Sequence, residues 1–191
     1  MPVTHLTPEP ALVLVDLQAG ITAMPLAHPA DGVVARAAAL AATFRERRLP
    51  VVLVTVAFSP DGSDALRPPV DAAPPAASPG PDFAALRPEL GATDGDLRIV
   101  KRQWDAFFGT ELDLQLRRRG VRSVVLAGIA TSIGVESTAR SAYSLGYEVV
   151  VASDAVTDTQ PLAHANSLER IFPRLGRVDT TDAVLAALGQ A

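Results

Sequence analysis

Of the 17 basic residues in this chain, 16 are arginine and one is lysine, Lys101. A lone ammonium in so arginine-rich a background has two readings. Either one surface lysine survived, or a site there needs a compact point charge on a flexible stem that a planar guanidinium does not replace. Asp16 closes the first apolar run, with Gln18 two residues on, and offers a carboxylate for proton transfer. The segment Gly128-Ile-Ala-Thr-Ser-Ile-Gly134 is a small-residue turn leading into a helical pattern, and the first amides of a helix can hold an anion. Taken together these residues supply an acid or base, a cation and an anion cradle. The chain has no cysteine, so thiol nucleophiles, disulfides and thiolate metal sites are excluded. Thr131, Ser132 and Ser137 are hydroxyl alternatives, but no histidine lies near them in sequence, and Ser132 equally suits a helix N-cap. His5, His28 and His164 show no ligand-like spacing, so neither a metal nor a cofactor is expected. Asp154 reads as a cap residue before a short turn.

The elements that must position these groups are short β-branched runs: Ala11–Val15, Val51–Val56, Leu97–Val100, Ser123–Ala127, Val149–Ala152 and a weaker one at Arg177–Asp179. Near-continuous apolar strands of this kind suit a parallel sheet covered on both faces. Helical patterns lie between them at 31–48, 110–119, 133–145, 162–171 and 181–188. Alternating strands and helices define an α/β fold with right-handed crossovers. Such sheets bind ligands beyond the carboxyl ends of their strands, and Asp16, Lys101 and the 128–134 turn all fall at such ends. Residues 59–96 break the alternation: they hold eight of the 16 prolines and no clear periodicity, which reads as a lid or an excursion.

A chain of 191 residues fits a single domain, 1–191. A net charge of −4 argues against nucleic acid as a partner, because phosphate binding needs a basic face. The longest apolar runs, of about six residues, fall far short of the roughly 20 that a membrane span needs. The N-terminal residues lack a signal-peptide layout, so a cytoplasmic protein is expected.

Three segments resemble the isochorismatase-like (cysteine hydrolase) family: Leu12-Val-Leu-Val-Asp16-Leu-Gln18, Lys101-Arg-Gln-Trp-Asp-Ala-Phe-Phe-Gly-Thr110 and Leu126-Ala-Gly-Ile-Ala-Thr-Ser-Ile-Gly134-Val-Glu-Ser-Thr-Ala-Arg140. The likeness covers nearly all of the chain outside 59–96. It implies a doubly wound, Rossmann-like sheet of six mostly parallel strands with helices on both faces, a cis peptide between Ile129 and Ala130, and a homodimer or homotetramer. Most members hydrolyse amides with an Asp–Lys–Cys triad. Here the Asp and Lys positions match Asp16 and Lys101, while the nucleophile position matches Gly134.

True isochorismatases also carry glycine there, and they cleave a vinyl ether without a covalent nucleophile. By that resemblance Asp16 is the general acid, and Lys101 positions it or binds a substrate carboxylate. Gln18, Trp104, Phe107 and the Ile133 and Gly134 turn line a small-molecule site. One departure stands out. The arginine usual two positions after the lysine is absent, with Gln103 in its place and Arg102 one residue earlier, which on an extended segment faces the opposite way. The expected function is a hydrolase acting on a small anionic metabolite. The alternative is a catalytically inactive member serving as a binding or assembly protein.

Overall fold

In the computed structural model, residue 3 and residues 6–72 and 80–189 are described. One sheet of six parallel strands organises them: β1 (Ala11–Val15), β2 (Val51–Val56), β3 (Leu97–Lys101), β4 (Ser123–Ile129), β5 (Glu148–Thr157) and β6 (Arg177–Asp179). Their order across the sheet is β3-β2-β1-β4-β5-β6, so the direction of winding reverses between β1 and β4. Strand residues alternate between two apolar layers. On one side Leu12, Leu14, Leu53, Val125 and Val150 pack under the long helix α2 (Ala30–Glu46), which follows the single-turn α1 (Ala19–Thr22). On the other side Val13, Val15, Val52, Val54, Leu126 and Val151 meet α3 (Leu112–Arg118) and α4 (Glu136–Ser144). The chain continues through α5 (Pro161–Asn166) and α6 (Phe172–Leu175) to α7 (Thr181–Leu188), whose Val184, Ala187 and Leu188 join the α2 layer. This is the expected doubly wound architecture, with every strand pair parallel. Among the described residues no helix is long and apolar enough to cross a membrane.

Besides shifts of one or two residues elsewhere, three expected elements differ in kind or extent. β5 runs on to Thr157 rather than stopping at Ala152, because its register against β4 shifts between Leu126 and Gly128 and the strand bulges around Ser153–Ala155. An extra residue or more on one strand lets the ladder resume after a local break. The polar pair Ser153-Asp154 therefore lies inside the strand, and Asp154 accepts hydrogen bonds from both the N–H and the hydroxyl of Thr181 and pairs with Arg36. The helix expected at 133–145 begins as a π-type turn over Thr131–Val135 and becomes α-helical at Glu136. The helix expected at 162–171 is α5 followed by a second π-type turn, Ser167–Ile171.

The excursion at 59–96 is tied down at several points. Ala19 and Gly20 donate backbone hydrogen bonds to the carbonyls of Ala85 and Phe83, and Arg87 donates to Leu17. Asp96 accepts two bonds from Arg45, which also holds the Leu90 carbonyl. The central part of the excursion, 73–79, lies outside the described residues.

Candidate active site

Asp16 directly follows β1 with φ of +53°, a left-handed conformation that is costly for a residue bearing a Cβ. Lys101 ends β3, two strands away, which at roughly 4.8 Å per strand is about 10 Å of lateral distance. Its flexible stem spans that gap. Nζ donates to Asp16 Oδ2 at 2.7 Å and to the Gln103 carbonyl at 3.1 Å. Both side chains are almost wholly enclosed, with 2% of Lys101 and 7% of Asp16 exposed. The second oxygen, Oδ1, is buried without a hydrogen-bond partner. Burial pushes the Asp16 carboxyl up to about 6 against the pull of the Lys101 ammonium.

The turn after β4 completes the arrangement. The Ile129–Ala130 peptide is cis, as the family resemblance implies. Gly128 just before it has φ of +133°, and a Cβ there would stand 2.0 Å from the Val15 carbonyl oxygen, so only glycine lets β4 close on β1 beside the acid. A Cβ on Gly134 would lie 3.1 Å from Asp16 Oδ2 and 3.6 Å from the Ile129 carbonyl oxygen. Glycine therefore lets the turn pack closely against the carboxyl and supplies no nucleophile.

Asp16, Lys101 and Gly134 thus come together as the strand ends foretell. The other expected site residues behave differently. Gln18 is fully buried and its amide is consumed by the backbone: Nε2 donates to the Val56 and Phe83 carbonyls, and Oε1 accepts from the Val56 N–H. It joins the end of β2 and the 80s segment to the catalytic strand and has nothing left for a substrate. Phe107 belongs to the apolar layer beneath the sheet, with its ring 5.7 Å from that of Tyr147, and is not a pocket wall. Trp104 is 65% exposed. The Ile133 N–H donates to the Ala130 carbonyl at 3.1 Å, so it is not free for an anion. Arg102 is paired with Asp64 of the excursion at 2.5 Å, and the Gln103 amide donates to the Asp105 and Phe108 carbonyls.

Several positioning groups escaped the sequence reading. Asp158 accepts from both the N–H and the hydroxyl of Ser132, at 2.7 and 2.8 Å, and so fixes the start of the turn. Reading β5 to its real end would have marked Asp158 as the strand-end carboxylate. Thr138 Oγ1 donates to the Gly134 carbonyl and accepts from the Ala106 N–H, linking the turn to the segment after Lys101. Thr131 Oγ1 and His164 Nδ1 share a hydrogen bond of 2.8 Å, and the His164 ring lies 4.8 Å from that of His28. The two histidines that looked unrelated in sequence are therefore neighbours, while His5 lies outside the described residues. Among the described residues no three His, Asp or Glu side chains are grouped as a metal would require.

The acid therefore stands at the winding reversal of an α/β sheet, met by an ammonium from the sheet edge and flanked by a glycine turn. Residues 10–183 match the model of the isochorismatase domain, and the chain belongs to the isochorismatase family. It is 50% identical over 181 residues to the isochorismatase family protein YecD of Escherichia coli O157:H7, covering 93% of this chain and 95% of the relative. An isochorismatase family protein from Burkholderia thailandensis superposes with a TM-score of 0.94 at 47% identity, over 99% of both chains. The N-carbamoylsarcosine amidase of Thermoplasma acidophilum superposes at 0.73 with 29% identity, over 91% of this chain and 97% of that one. The chain is a hydrolase of this family, acting on small molecules.

Proposed function

We propose that this hydrolase works by proton donation from Asp16 with no covalent intermediate on the chain, and that its substrate is a small anionic enol ether. The observation that carries the reading is the asymmetry of the Asp16 carboxyl: Oδ2 is held by Lys101 and is the oxygen nearest the Gly134 turn, while Oδ1 is buried and unpartnered. A carboxyl raised to about 6 keeps on the order of a tenth of its population protonated at pH 7. Its proton passes to the methylene carbon of the enol ether, leaving an oxocarbenium ion. Water adds to that ion and returns a proton to Asp16, and the hemiketal collapses to pyruvate and an alcohol. Lys101 orients the acid and is the cation available to a substrate carboxylate. An amidase mechanism of the thiol type is disfavoured because the chain has no cysteine.

The working form we propose is a cytoplasmic homodimer or homotetramer, as the family resemblance implies, and light scattering of the purified protein reads its size directly. The test of the chemistry is a panel of enolpyruvyl ethers and primary amides, assayed for pyruvate and ammonia. Pyruvate released by the wild type and absent with Asp16→Asn is the expected result. Ammonia release without pyruvate overturns the vinyl-ether reading.

A further inference from the structure

The bulge in β5 leaves a cavity, of about 390 Å³, between that strand, the start of α2 and α5. Its lining includes Val33, Val156, His28, His164, Arg36 and Asp154, and none of these belongs to the Asp16–Lys101 pair. The volume lies at the lower end of the range that small-molecule sites occupy, about 300–1,000 Å³.

We infer that this cavity binds a small carboxylic acid with an apolar body, at a site separate from the catalytic pair. The polar groups of its wall are arranged for it. His28 Nδ1 is engaged by Thr157 Oγ1 at 3.0 Å and His164 Nδ1 by Thr131 Oγ1 at 2.8 Å. Among the described residues neither Nε2 has a protein partner, so both imidazoles keep one nitrogen for a ligand. Asp154 is the one carboxylate on the wall, and its charge is already met: Oδ2 takes Arg36 at 2.8 Å and Oδ1 takes Thr181. Arg36 keeps further N–H donors. Val33 and Val156 supply apolar wall for the ligand body.

The charged and titratable groups facing the imidazoles are Arg36 from α2, Asp154 from β5 and Asp158 just after it. Burial and the neighbouring His28 hold the His164 imidazole below its ordinary value, against the pull of Asp158. A carboxylate entering the cavity favours the imidazolium, so binding takes up a proton and tightens as pH falls. Because His164 also holds Thr131, occupancy reaches the first residue of the catalytic turn.

The experiment follows the imidazole carbon-bound proton resonances of the full chain during titration with benzoate, butyrate and acetate at pH 6 and pH 8. His28→Gln and His164→Gln variants assign the signals. Benzoate is expected to move both imidazole signals, with affinity at least threefold tighter at pH 6, and acetate is expected to bind more weakly. Gly32 lines the cavity within α2, and nothing lies within 4 Å of where its Cβ would stand, so Gly32→Phe fills space without disturbing the helix. That variant, checked for folding by circular dichroism, is expected to lose the response. Imidazole signals indifferent to both benzoate and butyrate, or a response that Gly32→Phe leaves intact, overturn the proposal.

Discussion

Lys101 Nζ sits 2.7 Å from one oxygen of Asp16, while the other oxygen of the same carboxyl is sealed from solvent with no partner. The pair is thus neither a plain ion pair nor an isolated acid. Desolvation favours the protonated form and the ammonium opposes it, with desolvation the larger effect.

The pH dependence of turnover follows from that balance. With Asp16 titrating at about 6 and required as an acid, kcat/KM is expected to be flat below that pH and to fall about tenfold per unit above it. Asp16→Asn is expected to lower kcat by at least about a thousandfold while the far-ultraviolet spectrum stays native. A rate that rises through pH 6 instead assigns Asp16 the role of base.

Lys101→Met removes the ammonium that pulls the Asp16 carboxyl down, so the carboxyl rises further above its unfolded value. For an acid raised on folding, stability is fully present below the unfolded value near 3.8 and is lost as pH climbs through the folded one. The variant is therefore expected to lose about 3–5 kcal/mol at pH 8, as when one partner of a buried pair is deleted. At pH 5, where the carboxyl stays neutral, the loss is smaller. Urea titrations at the two pH values read the difference, and equal losses count against the assignment. Lys101→Arg is expected to impair turnover despite keeping the charge, because the planar fork does not fit a pocket shaped for an ammonium.

Gly134→Cys puts a Cβ 3.1 Å from both Asp16 Oδ2 and Val15 Cγ1, tight contacts that need both side chains to give by a few tenths of an ångström. The thiol is expected within reach of both Asp16 and Lys101, and to react with iodoacetamide in the folded protein. An inert thiol in a folded variant shows that the turn aims elsewhere.

Asp158→Ala strands the Ser132 N–H and hydroxyl beneath the turn. Unmade bonds to a charged acceptor at a buried site cost about 1–3 kcal/mol, so the variant is expected to melt several degrees lower. Turnover is expected to fall along with it, since Ser132 opens the turn that carries Gly134. A melting temperature and rate both equal to wild type remove Asp158 from this role.

How much of this was legible depended on what each residue announces locally. β1, β2, β6 and α7 were readable to the residue because β-branched runs and turn residues mark them without help from tertiary contacts. The Asp16–Lys101 meeting was readable as well, since parallel strands deliver their carboxyl ends to one edge. β5 was not, because Ser153-Asp154 has the composition of a strand end and only the pairing with β4 carries the strand past it. Gln18 and Phe107 looked like pocket residues for a similar reason. Whether an amide serves substrate or backbone, and whether a ring turns outward or into the core, is decided by partners far away in sequence, here Val56, Phe83 and Tyr147.

The ammonium of the site is carried by β3, which pairs only with β2 and forms one edge of the sheet, whereas the acid directly follows the central strand β1. Edge strands open at lower free energy than the interior of a fold. Amide hydrogen exchange along β3 is accordingly expected to outpace that along β1. Partial melting of this protein thus strips the cation from the carboxyl first, and inactivation by mild heat or denaturant is expected to precede loss of the sheet.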